Sequence, residues 1–207
     1  PIYYFNLDKS AESILPKFSS KVIHEKRVAY DPKLLQKDAS TMWNDLIAAM
    51  NYAWSQNQGS VILDTETQFY NLCRLAYFGK LTQVMARNYG PVNEAMTEAL
   101  NYQPYASDMT AVFIDRMGNE YVNDSTTGNR IRRGWPQLDY ETQVNVQAMR
   151  NDIPDQQSTF SVWVKSSAFT RMDGTHLSGI NQINLTIPGL LDLVYGEVPG
   201  VNGTGGA

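Results

Sequence analysis

The densest group of side chains able to do chemistry is Arg130-Ile131-Arg132-Arg133-Gly134-Trp135. Guanidinium donors clamp phosphate oxygens, and an aromatic face beside them can stack a base. The same run also reads as a solvated loop whose Trp anchors its end in the core. Covalent catalysis needs an activated nucleophile beside a base. The single cysteine, Cys73, falls on the apolar face of a helical stretch and reads as a buried, inert thiol. His24 lies in a basic stretch and His176 follows a turn, so a shared acid–base role requires the fold to bring them together. Asp115 to Glu120 holds acids, an Asn and a Gly without calcium-loop spacing, and reads as a hairpin turn. The chain has no GxSxG elbow, no HExxH, no GxxxxGK[ST] loop and no GxGxxG. No Cys/His cluster has zinc spacing. The expectation is no catalytic residue, no metal and no cofactor. Asn123-Asp124-Ser125, Asn184-Leu185-Thr186 and Asn202-Gly203-Thr204 match the glycosylation triplet, as chance produces in a chain rich in Asn, Ser and Thr.

The elements that would position these groups fall into four segments. Residues 1–37 hold six of the eight lysines plus Arg27 against four acids, a balance of +3, so residues 38–207 carry -7. Their apolar residues show no sustained period, which reads as an extended basic arm. Residues 38–106 read as helical. Trp43, Leu46, Ile47, Met50, Ala53 and Trp54 make one stripe, with Ser40 or Thr41 as cap and Gly59 as stop. A second helix runs over about 65–78 with Gly79 at C′, and a third carries Leu81, Val84 and Met85 and stops at Gly90. Pro91 opens a fourth with Val92, Ala95, Met96, Ala99 and Leu100. Together they suggest a helical bundle.

Residues 107–188 read as β-rich and packed on the helices. Val112 and Ile114 alternate with polar residues, and Arg116-Met117-Gly118-Asn119 offers a turn before Tyr121-Val122. Residues 123–134 look like an exposed loop. Phe160, Val162 and Val164 alternate, Asp173-Gly174 signals a tight turn, and Ile180, Ile183, Leu185 and Ile187 follow. Residues 189–207 read as an extended tail. The fold class expected is α+β.

Composition sets the bounds. The chain has 207 residues, a net charge of -4 and 43% hydrophobic residues, enough for a sizeable core in one large or two small domains. Charged residues make up only 18%, with 28 Asn and Gln in their place, which excludes a disordered polyelectrolyte. No apolar run approaches the roughly 18 residues of a membrane span. Pro1-Ile2-Tyr3-Tyr4-Phe5 is too short for a signal peptide and lacks a basic region before it; a Pro start fits initiator removal or precursor cleavage.

Residues 48–105 resemble the coat proteins of flexible filamentous plant viruses of the potyvirus kind. The resemblance rests on Trp54, Asn57, Gly59, Ser60, Asp64 and Glu66-Thr67-Gln68. It continues through Leu81-Thr82-Gln83-Val84-Met85-Ala86 to Glu94-Ala95, Glu98 and Asn101-Tyr102. It implies an RNA pocket of Ser, Arg and Asp. Ser60 matches the Ser, Thr82 stands at the Arg position with Arg87 five residues on, and the Asp motif is absent. The family core is also mostly helical, unlike the β pattern of the second half here.

These readings converge on a non-enzymatic viral coat subunit, located in the virion and host cytoplasm. It would self-assemble in many copies through arms at 1–28 and 189–207, into a filament or shell. Single-stranded RNA is the candidate genome, with Ser60, Arg87, Arg130, Arg132 and Arg133 as its contacts. The alternatives are an accessory virion or phage-tail component without genome contact, and an enzyme whose site is not visible in one dimension.

Overall fold

The computed structural model of the chain describes residues 1–8, 15–18, 20–82, 84–152, 158–170 and 176–184, with the single positions 174, 186, 189 and 192. Helices and strands both contribute, and the class is α+β. The chain divides into two compact units, Pro1–Leu138 and Asp139–Ala207.

The first unit is built on a four-stranded parallel sheet of β1 (Ile2–Asn6), β2 (Ile23–Arg27), β3 (Ser60–Asp64) and β4 (Thr110–Ile114), in the order β2-β1-β3-β4. Residues 2–6 are thus an interior strand, not part of an arm. Ile2-Tyr3-Tyr4-Phe5 carries no charge and is flanked by β2 and β3. Interior parallel strands read as unbroken apolar runs, so they show none of the alternation by which a strand is recognised. The same reason hides β3, Ser60-Val61-Ile62-Leu63-Asp64, inside the stretch expected to be wholly helical.

Three helices cover one sheet face. α1 (Gln36–Ser55) crosses from β2 to β3; α2 (Glu66–Phe78) and α3 (Gly90–Thr97) lead from β3 to β4. Both crossings travel the same way along the sheet, so right-handed connections put α1 and α2 on the same side. Tyr3 and Phe5 of β1 and Val61 and Leu63 of β3 pack there with Trp43, Leu46, Met50, Phe69, Leu72, Met96 and Leu100. Ala111 and Phe113 of β4 join them in register.

Several helix ends differ from the sequence reading. α1 begins one turn before Ser40, whose hydroxyl donates to the Gln36 and Ala76 carbonyls at 2.9 and 3.0 Å instead of capping. α1 ends at Ser55; Gly59, at φ 99°, instead lets the chain pass close to the Pro1 carbonyl before β3. Gly79 does close α2, at φ 67° with its N–H on Leu75 O. The third expected helix is a single 3-10 turn, Ala86–Asn88, and α3 continues into a π-helical turn, Glu98–Tyr102.

Beyond β4 the first unit carries an antiparallel hairpin, β5 (Met117–Val122) with β6 (Ser125–Arg132). The expected loop at 123–134 is therefore mostly strand, and the turn lies at Asn123-Asp124, with φ 50° and 60°, rather than at 116–119. Polar residues pair well in an exposed two-stranded ribbon, which hides it from a search for apolar alternation. The second unit is an antiparallel sheet of β7 (Val144–Asn151), β8 (Thr159–Ser167) and β9 (Asn181–Ile183). Val164 and Leu177 form its core with Val144, Phe169 and Ile180. Of the expected 173–174 turn only Gly174 is described; Leu185, Ile187 and most of the tail at 189–207 lie outside the described residues. Among the described residues no helix is long and apolar enough to cross a membrane.

Phe69 is fully buried with its ring 4.7 Å from Trp43. Phe69→Ala is expected to destabilise the first unit by about 3–5 kcal/mol in urea unfolding, whereas truncating the exposed Tyr105 should change it by under about 0.5 kcal/mol.

Candidate functional site

In a sheet ordered β2-β1-β3-β4 the chain leaves β1 in one direction and returns past it in the other. The reversal falls between β1 and β3, and in open parallel sheets ligands bind outside the carboxyl ends at that point. Here those ends carry acids. Asn6 and Asp64 close β1 and β3 in register with Ile114 of β4, and Asp8 and Asp115 lie just beyond.

Asp64 is buried, and the Tyr4 hydroxyl, from the same sheet face of β1, donates to its Oδ2. The Leu7 N–H donates to the Asp64 carbonyl at 2.6 Å, tying the two strand ends together. The Asp64–Thr65 peptide is cis. Thr65 caps α2, its hydroxyl accepting from the Gln68 N–H at 3.4 Å. Asp8 pairs with Arg116 at 3.0 Å and Asn6 donates to Glu25 at 2.9 Å, so charges of both signs line this end of the sheet.

Glu66, in the first turn of α2, is completely buried. It accepts the Trp135 N–H on both oxygens, at 2.9 and 3.1 Å, and Arg132 Nη1 lies 3.6 Å away. Arg132 also donates to Asp115 at 2.8 Å and to the Trp135 carbonyl at 2.5 Å. Asp115 accepts from the Thr67 hydroxyl at 3.2 Å, and that hydroxyl accepts the Arg116 N–H at 3.0 Å. Burial, with a hydrogen bond to Asp115 and that group's negative charge, pushes Glu66 up to about 9, against the opposing pull of the Trp135 N–H and Arg132. Glu66 is therefore held toward its protonated form, with Asp115 as a hydrogen-bond partner. Residue 134 must be Gly, because a Cβ there would overlap the Glu66 carboxylate.

The sequence-derived site residues are not brought together. Ser60 is at the amino end of β3, at the opposite end from Asp64. Arg87 is exposed on the Ala86–Asn88 turn. Arg130 is exposed on β6, opposite Asn119. Arg133 is exposed, and donates to the Asn119 carbonyl at 2.6 Å. Arg132, expected at a phosphate, points inward, drawn by the carboxyl groups of Glu66 and Asp115. Trp135 is fully buried, its indole N–H on Asn93 at 3.1 Å. His24 stacks on Tyr3 at 5.0 Å, whereas His176 belongs to the second unit. Cys73 is buried and its thiol is pushed above its ordinary range by desolvation.

The acids that sequence reasoning passed over are Asp64, Glu66 and Asp115. A signal existed for the first two: an uncharged run of three large aliphatics, then Asp, Thr and Glu, is a strand ending at a capped helix. Among the described residues no three acids, His or Cys converge as a ready-made metal cage. A divalent ion here would need substrate oxygens and water to complete its shell, as magnesium commonly does. No protein-family model and no curated protein matches the chain.

Glu66 gains a proton on folding, so its contribution to stability is complete below about 4.5 and is lost as pH rises toward and through about 9. Glu66→Gln mimics the protonated form. Its melting temperature should fall less than that of the natural protein between pH 6 and pH 9 (about three units, across the linked window); parallel curves would show that Glu66 is ionised in the folded state.

Proposed function

We propose that the carboxyl rim of the parallel sheet binds a magnesium nucleotide and hydrolyses its terminal phosphate. The observation that carries this reading is Asp64: a buried carboxylate at the end of an interior apolar strand, at the reversal of strand order, directly before a helix. Nucleotide hydrolases built on parallel sheets hold magnesium with an Asp of this kind, and the nucleotide's phosphates supply other ligands. Tyr4 fixes the Asp64 carboxylate. Glu66, with its raised carboxyl, and Asp115 would sit beside the charge that changes as phosphate leaves.

Such a site also needs a cradle of backbone N–H groups for the phosphates, commonly a strand–loop–helix, and the sequence has no GxxxxGK[ST] motif for one. The sheet offers a place for it. β2, at one edge, carries His24, Glu25, Lys26 and Arg27, as edge strands usually do. β4, at the other edge, is Thr110-Ala111-Val112-Phe113-Ile114, the composition of an interior strand. A further strand paired parallel to β4, from outside these residues, would end its loop beside Asp115 and Asp64.

This reading replaces the non-enzymatic coat subunit with a catalyst. The nucleic-acid part of the coat reading survives as a second proposal, favoured by Arg130 and Arg133, both exposed on the β5–β6 hairpin. Such a hairpin would grip the phosphates of single-stranded RNA.

The catalytic reading is tested by phosphate release from ATP with the longest natural polypeptide that contains this chain. Release should require magnesium and fall by at least about 100-fold in Asp64→Asn; metal-independent release, or an Asp64→Asn variant of full activity, rejects it. For the hairpin, RNA affinity should drop steeply with salt, and Arg130→Ala with Arg133→Ala should shallow the slope by about two in log–log terms. A flat salt dependence rejects the hairpin proposal.

A further inference from the structure

We infer that the first unit carries a pocket for a single nucleobase with its phosphate, between Tyr70 of α2 and Tyr89 at the start of α3. A cavity of about 450 Å³ opens among Tyr70, Val84, Tyr89 and Pro136, with the amides of Asn93 and Gln137 as its polar groups. That volume lies within the ordinary range for small-ligand sites, and an aromatic wall with a few amides suits a planar heteroaromatic ring.

The wall is held in place before any ligand arrives. The Arg74 guanidinium lies 5.6 Å from the Tyr70 ring centre and 5.9 Å from that of Tyr89. The same guanidinium donates to the carbonyls of Leu81 and Thr82 at 2.6 and 3.2 Å, which fastens the stretch leading into the pocket. Phe78 meets Tyr89 edge-on at 5.3 Å. Trp135 Nε1 donates to Asn93 Oδ1, which sets that amide's orientation and leaves its NH2 as the donor end. A rigid tyrosine loses little on stacking a base, and a set amide reads a base edge by hydrogen bonding.

The phosphate partner is on the same turn. Ala86 and Tyr89 both line the cavity, and the exposed Arg87 follows Ala86 on the same turn, outside the lining, where its long side chain has to reach round to a phosphate at the mouth. Aromatic stacking beside a free cation is the combination that holds single nucleotides, whether free or in an unpaired strand. Asp64, Glu66 and Asp115 are not among the lining residues, and Asn93 meets the Glu66 group only through Trp135.

Calorimetric titrations with AMP, adenosine, ribose 5-phosphate and a riboadenylate hexamer test the inference. AMP should bind saturably, adenosine about tenfold more weakly because the charged contact is lost, and ribose 5-phosphate not at all. Tyr89→Ala should weaken AMP about tenfold while Tyr89→Phe retains it, separating lost stacking from lost folding. Arg87→Ala should bring AMP to the affinity of adenosine. A hexamer that binds more tightly than AMP identifies a strand as the source, and equal affinities identify a free nucleotide. Asp64→Asn should leave all of these values in place, so this pocket and the rim stand or fall separately. No saturable binding of AMP or hexamer up to about 1 mM, or affinity indifferent to Tyr89→Ala, overturns the inference.

Discussion

The carboxyl group of Glu66 is the point on which the first unit turns. It is completely buried, and a buried polar group is tolerated only when it is hydrogen-bonded. Its partners come from two other parts of the chain: Asp115 after β4, and Arg132 with the Trp135 N–H at and just beyond the end of β6. Each partner constrains an element. Asp115 aligns the exit of β4 with the first turn of α2. Arg132 brings the hairpin back to the sheet, and Trp135 is then drawn into the core. Gly134 follows from the same contact, since only a residue without a side chain lets the backbone come so close to the carboxylate. Removing one partner would leave a buried charge or donor unmatched, which costs more than the net value of the pair.

This arrangement also explains why the Glu66 carboxyl is pushed up. Glu66 and Asp115 stand together in a poorly solvated place with one guanidinium between them, so full ionisation would leave excess negative charge there. Asp64 is placed differently: it is at the sheet rim, held by a tyrosine hydroxyl, at the reversal of strand order. Two acids only two residues apart are thus separated in role by the turn from strand to helix.

The two edges of the sheet differ in composition. One edge is charged and one is apolar, and the reason for an apolar edge is physical. Unpaired N–H and C=O groups on an uncharged strand invite another strand to pair. Tyr3, Phe5, Val61 and Leu63 fill the helix-covered face, while Ile62 and Val112 on the alternate face are only half-buried and Ile114 is 41% exposed. An all-parallel sheet is ordinarily covered on both sides.

What was legible in the amino-acid order alone was whatever depends on near neighbours. The apolar stripe of α1, the Gly79 stop of α2, Pro91 at the start of α3 and the alternation of β8 all follow from spacings of two to four residues, and the structure contains them. The α+β class was legible for the same reason, as were the buried Cys73 and the anchoring role of Trp135. Strands β1 and β3 were not, because a strand buried on both faces has no alternation to display. The rim was hidden as well: Asp8, Asp64, Glu66, Asp115 and Arg132 are scattered over more than a hundred residues, and only parallel pairing sets their strand ends side by side. Arg132 shows the division most clearly. Its type and its two arginine neighbours suggested an exposed cluster, but a buried carboxyl group 66 positions earlier turned it inward. Local order determines which elements form and where they stop; which charges meet is decided by tertiary structure, because burial and pairing are properties of position in space.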